Sequence, residues 1–154
     1  MGRLFPRTRR GTFRVLLADD HRAVVAQLAE SIASIIEHGD ADGDVALRRL
    51  FPPAYSDDPE KNAEYDGLMR GDLRDGRLAA LAVVRESSNA EELTEEQLLS
   101  WLGALNDIRL YLGTRLGVTE DMAEPEPGDP DAAMLDVYRF LSLVQEEVVD
   151  ALGS

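Results

Sequence analysis

Cysteine is absent from all 154 residues, which removes three kinds of chemistry at once: a disulfide framework, a thiolate-held zinc ion and a cysteine nucleophile. The redox compartment is therefore unreadable from cysteine usage. Histidine is scarce as well. His21 and His38 stand at opposite ends of one expected helix, so no paired-histidine zinc motif exists, and the helix dipole accounts for His38 near the C-terminus. The chain also lacks a glycine-rich phosphate loop and a nucleophile elbow. No apolar run approaches the roughly 20 residues a membrane span requires, and the N-terminus lacks the apolar core of a secretory signal. These absences lead to the expectation of a cytoplasmic protein without membrane contact and without a cofactor.

Charge is distributed just as unevenly. Lys61 is the only lysine, and acids outnumber Lys and Arg by 30 to 16. Five of those bases, Arg3, Arg7, Arg9, Arg10 and Arg14, lie in the first 14 residues, where there is no acid. The remaining 11 bases face all 30 acids, giving a body that repels phosphate. Direct nucleic-acid binding by that body is not expected. Only the arm, through Arg7, Arg9 and Arg10, is a candidate for contact with nucleic acid or an acidic partner, and a solvated basic hairpin is its plainer account.

A chain of this length fits one domain and can bury a core without staples. Phe13, Val15 and Leu17 alternate with Arg14 and Leu16 after an Arg9-Arg10-Gly11 turn, the pattern of a β-hairpin. Asp19 or Asp20 is placed to cap a helix in which Val25, Leu28, Ala29, Ile32, Ile35 and Ile36 recur until Gly39. An apolar stretch from Val45 to Phe51 ends at Pro52 and Pro53. Asp58-Pro59 reads as a cap and first helical position for a helix toward Arg70, and a further helix is expected from near Asp72 to about Ser87. Gly67, Gly71 and Gly76 punctuate this region.

Thr94-Glu95-Glu96-Gln97 has the spacing of a capping box. It opens a helix with Leu98, Leu102, Leu105, Ile108, Leu112 and Leu116 on one stripe, widened by Trp101, Ala104 and Tyr111 and ended by Gly117. The acidic, proline-rich stretch 118–129 reads as a linker, and Asp129-Pro130 as the start of a last helix running to residue 152. That helix would bury Met134, Tyr138, Leu141, Val144, Val148 and Leu152, and it has enough apolar surface to allow a homodimer. The expected fold is mainly α: residues 1–18 as a basic hairpin or arm, a helical core over 19–117, the linker, and the C-terminal helix, with five to six helices in a bundle.

Two local patterns point to chemistry and then fail. Residues 13–22 (FRVLLADDHR) resemble the first strand and acidic pair of two-component receiver domains, where Asp19 and Asp20 would hold magnesium. The further strand-helix units, the phosphoacceptor aspartate and the late lysine are missing, so at most a degenerate receiver-like domain is left. Asp40, Asp42 and Asp44 alternate like a calcium loop, but Val45 and Phe51 stand where glycine and glutamate belong.

Polar residues on apolar elements form a third pattern: Tyr55, Asp57, Asp58 and Glu64, then Asn106, Asp107, Arg109 and Arg115. A wide-faced helix cannot keep Asn106, Asp107 and Arg109 all in water, so partners on another helix are required, with the acids from Asp57 to Glu64 as candidates. Two readings stay open. One is a buried ion-pair network that sets helix register; the other is a small enzyme or anion-binding site using Asp57, Glu64, Arg109 and Arg115.

Residues 47–58 (LRRLFPPAYSDD) with Ala63-Glu64-Tyr65, and residues 101–117 (WLGALNDIRLYLGTRLG), resemble an actinobacterial domain-of-unknown-function family that includes AosR-like regulators. Its more specific strings are NDIR, from Asn106 to Arg109, and LGTRLG, from Leu112 to Gly117. The resemblance implies a non-enzymatic, redox-linked regulator. Members are encoded beside the ClpS adaptor and sulfur-metabolism genes, and AosR-like ones work on transcription with a sigma factor. It also implies a protein partner from the transcription or Clp machinery. A chain without cysteine cannot run a disulfide switch, and its acidity leaves protein contact as the expected mode, with DNA binding through the arm as the alternative.

Overall fold

A computed structural model describes residues 3–39, 44–50, 59–118 and 128–154, without the side chains of Val45 and of residues 59–70. Among the described residues, five helices and two short strands follow in order: β1 Phe13–Arg14, α1 Asp19–His38, α2 Val45–Leu50, α3 Pro59–Ser87, β2 Glu92–Leu93, α4 Glu95–Leu116 and α5 Ala132–Leu152. The molecule is mainly α, as expected. The positions read as Phe51 to Asp58, Asp40, Asp42 and the Glu124 to Pro127 part of the linker lie outside the described residues.

The N-terminal hairpin is present. The amides of Arg14 and Leu16 donate to the carbonyls of Pro6 and Leu4 at 2.9 Å, and Gly11 turns the chain at φ 85°. β1 also pairs antiparallel with β2, Phe13 opposite Leu93 and Arg14 opposite Glu92. Two residues of strand give too little periodicity to be seen in the sequence. Phe5 and Phe13 close this end of the core.

Arg22 ties these pieces together. Its guanidinium donates to the carbonyls of Val15 (2.8 Å), Leu17 (3.1 Å), Ser88 (3.1 Å) and Ala90 (2.7 Å), bridging the hairpin, the start of α1 and the turn after α3. Irregular segments cannot satisfy their own carbonyls, and a planar guanidinium serves several at once.

The helix boundaries bring three corrections. α1 is capped by Ala18, which has no side chain for the task; Asp19 and Asp20 lie inside the first turn, where they act on the helix dipole. Residues 59–87 form one helix instead of two, because glycine weakens a helix interior by only about 1 kcal/mol and neither Gly71 nor Gly76 adopts the positive φ of a stop. α5 begins at Ala132, after an Asx turn in which Asp129 accepts from the Asp131 amide at 2.9 Å. Leu135 and Ala151 are buried on α5, whereas Met134 is exposed and Tyr138 and Leu152 are half-buried. Gly39 ends α1 with ordinary negative φ; a Cβ there would stand 2.4 Å from the Ile35 carbonyl oxygen, so space is what demands glycine.

α4 is the central element and packs against α1, α2, α3, α5 and β2. Its capping box forms as read, with Thr94 and Gln97 exchanging bonds of 2.9 and 3.1 Å, and Gly117 closes it in the left-handed region at φ 66°. Trp101 is fully buried; its indole donates to Ser87 Oγ at 2.8 Å and meets the Phe5 ring edge-on at 6.0 Å.

Replacing Arg22 by methionine keeps its apolar stem and strands the carbonyls it serves. A loss of about 2–4 kcal/mol in urea unfolding is expected, with lysine recovering only part because an ammonium cannot span the fork.

Candidate functional site

The polar residues of α4 divide by direction. Asp107 points inward and is 3% exposed. Its carboxylate pairs with Arg77 of α3. Burial raises the Asp107 pKa, and the Arg77 charge and hydrogen bond pull the other way. Arg77 stands four residues from both Leu73 and Leu81, inside the apolar stripe of α3. A cation at that register is the readable sign of a buried partner, and it marks Arg77 more directly than the acids near residue 60.

Arg115 turns the other way. It lies 3.9 Å from Asp44 and is 60% exposed, a pairing worth little in energy. Asp44 is better engaged elsewhere: its Oδ1 accepts from the amides of Ala46 and Leu47 at 2.9 and 3.2 Å, capping α2, and its Oδ2 accepts from the Tyr111 hydroxyl at 3.2 Å. Burial and then the Asp44 charge raise the Tyr111 pKa.

Arg109 reaches α5. Its Nε donates to Ser142 Oγ at 2.9 Å and its Nη1 to Gln145 Oε1 at 2.7 Å, with the guanidinium 5.3 Å from the Tyr138 ring centre. These partners are neutral, so they orient the cation without cancelling it. Arg109 and exposed Asn106 line an open groove of about 440 Å³, bounded also by Arg49 of α2 and by Leu110, Val118 and Tyr138. Gly113 lets α4 and α5 approach here, since a Cβ on it would come within 3.1 Å of the Tyr138 ring.

The eight residues grouped in the sequence therefore do not share one described cluster. Asp107, Arg109 and Arg115 make three separate sets of contacts, and Asn106 faces the groove. Tyr55, Asp57 and Asp58 lie outside the described residues; Glu64 is on α3, and its side chain lies outside them too. In the arm, Arg7, Arg9 and Arg10 are all exposed; Arg7 lies over the Phe13 ring at 4.6 Å and Arg10 pairs with Glu92. The Arg10 and Thr12 hydrogen bonds lower the Glu92 pKa. Among the described residues no group of three or more His, Cys, Asp or Glu could hold a metal ion, and no helix is long and apolar enough to cross a membrane.

A family model, the domain of unknown function DUF2017, matches residues 2–152. The chain belongs to that family. It is similar to the oxidative stress regulator AosR of Mycobacterium tuberculosis, 34% identical over 130 residues, which cover 73% of this chain and 60% of the relative. The same figures hold for AosR of Mycobacterium bovis. The putative oxidative stress regulator AosR of Mycobacterium leprae is 33% identical over 127 residues, 71% of this chain and 58% of the relative. The chain thus spans about 60% of the length of the curated relatives it matches. No solved structure matches it.

The strings that carried the family resemblance have distinct physical tasks in this member. NDIR supplies the buried acid, one apolar core contact and two of the three polar residues of the groove wall on α4, Thr114 being the third. LGTRLG supplies the close approach to Tyr138, the Arg115 contact with Asp44 and the left-handed stop.

Because Asp107 titrates above its ordinary value in the folded protein, its contribution to stability is present below the unfolded pKa and is lost as pH rises through the folded one. Arg77→Ala removes the charge that limits this shift. The variant should lose about 3–5 kcal/mol at neutral pH and regain part of it toward mildly acidic pH as Asp107 takes up a proton. Urea unfolding at the two pH values measures this.

Proposed function

We propose that this chain is a non-enzymatic regulatory protein of the oxidative-stress response that acts by binding a protein partner of the transcription machinery. The observation carrying this reading is its membership of DUF2017 together with relatives named oxidative stress regulators. Two features favour protein contact over DNA binding. The body carries a strong excess of negative charge, which opposes a phosphate backbone. In the arm, Arg10 has Glu92 beside it, which lowers the local positive charge, and Arg7 lies over Phe13.

The absence of cysteine bears on how such a regulator is controlled: oxidant cannot act on this chain through a disulfide, so a redox signal has to arrive through its partner, its abundance or a ligand. The regulatory reading also fits the Asp107–Arg77 pair, whose buried carboxylate is taken up by the packing of α3 on α4.

The test uses purified components. Immobilised protein is exposed to RNA polymerase holoenzymes assembled with different sigma factors, and in parallel to duplex DNA at physiological salt. Saturable binding to one holoenzyme or free sigma factor is expected, with the Arg7→Ala, Arg9→Ala, Arg10→Ala triple variant within about twofold of wild type on that partner. Retention of no polymerase or sigma component, together with a salt-dependent DNA complex that the triple variant loses, would replace this reading with direct DNA binding through the arm.

A further inference from the structure

We propose that the groove between α2, α4 and α5 binds a small organic anion, with a carboxylate or phosphate group held by Arg49 and Arg109 and an apolar body lying against Leu110, Val118 and Tyr138. The argument starts from charge. In a chain so rich in acid, three described arginines, Arg10, Arg77 and Arg115, each have a carboxylate within 4 Å. Arg109 has only neutral hydrogen-bond partners, and no described residue lining the groove is an acid. Two arginines therefore border a hollow whose described lining holds no carboxylate.

Preorganisation is the second point. Ser142 and Gln145 take one hydrogen each from Nε and Nη1 of Arg109, and Ser142 is itself fixed by donating to the Tyr138 carbonyl at 3.0 Å. The second terminal nitrogen has no described acceptor, and a planar fork held in place is suited to a carboxylate or phosphate oxygen. The negative end of α4 opposes an anion here with about half a charge at most. Two full positive charges outweigh it, and the Gly117 and Val118 amides already occupy carbonyls of that last turn.

Direction and size narrow the ligand. A second hollow that Arg109 also lines is bordered by Glu146 and Asp150, which repel an anion, so the site is the groove beside α2. Its volume of about 440 Å³ falls within the roughly 300–1,000 Å³ of small-molecule sites, more than a bare ion fills. Asn106 adds an exposed amide donor at the rim. The inference does not depend on the partner proposed above.

The test is an NMR titration of the full chain with phenyl phosphate, with benzoate and with neutral benzamide at physiological salt. Saturable shifts centred on the amides of Gly113, Thr114, Val118 and Tyr138 and on Arg109 Nε–H are expected for at least one anion and absent for benzamide. A stronger response to phenyl phosphate assigns the phosphate class, and one to benzoate the carboxylate class. Arg49→Ala removes an exposed side chain and should weaken binding about tenfold, whereas Arg9→Ala on the arm should not. No saturable shift, shifts spread equally over the arm, insensitivity to Arg49→Ala, or a response to an acidic peptide but to neither small anion would overturn the proposal.

Discussion

A helix wrapped on most of its circumference must find a protein partner for each polar group it carries inward, and α4 is under that constraint. Trp101 meets it by handing its indole hydrogen to Ser87 at the end of α3, and Asp107 meets it with Arg77 two turns and more back along the same helix. Two contacts separated along α3 and α4 fix both the register and the crossing of these helices, because a slip of one residue would bury a donor and a carboxylate without partners. The other elements then settle onto this pair. The hairpin brings Phe5 to the Trp101 ring, α1 packs on α3, and α2 and α5 cover the remaining sides of α4.

The same constraint explains why the polar string from Asn106 to Arg109 divides. Successive residues on a helix point about 100° apart, so Asp107 enters the α3 interface while Asn106 and Arg109 emerge near α2 and α5. A buried ion pair and an open, positively lined groove thus arise from four consecutive residues. Their proximity in sequence gave the impression of one cluster, and the geometry of the helix separates them. Neutral side chains hold Arg109 at a partly open surface, and this sets the groove apart from the acidic surroundings.

Much of the architecture was legible because local chemistry specifies it. The capping box at Thr94 and the glycine at 117 bound α4 without reference to the rest of the chain, and the Gly11 turn makes the hairpin by itself. Errors arose where a local signal was weak. Ala18 caps α1 although two aspartates follow it, since the position of a helix start also depends on how the hairpin delivers the chain. α3 runs through its glycines because packing against α1 and α4 outweighs their modest helical penalty. In the sequence Arg22 belongs only to a receiver-like string, and nothing local indicates that its guanidinium collects four carbonyls from two stretches of chain.

By itself the sequence determined the helical class, the central helix with both its ends, the acidic body behind a basic arm, the exclusion of thiol chemistry and the family. The family showed itself only as a resemblance of particular strings; the rest follows from periodicity, capping or composition, which act over a few residues or over none in particular. Only the tertiary structure decided who pairs with whom: Asp107 with Arg77, Asp44 with Tyr111, and Arg109 with two neutral groups on α5. Those choices depend on which helix faces come together at distances of 30 residues and more along the chain, and charge type alone does not distinguish one arginine from another until the packing has placed them.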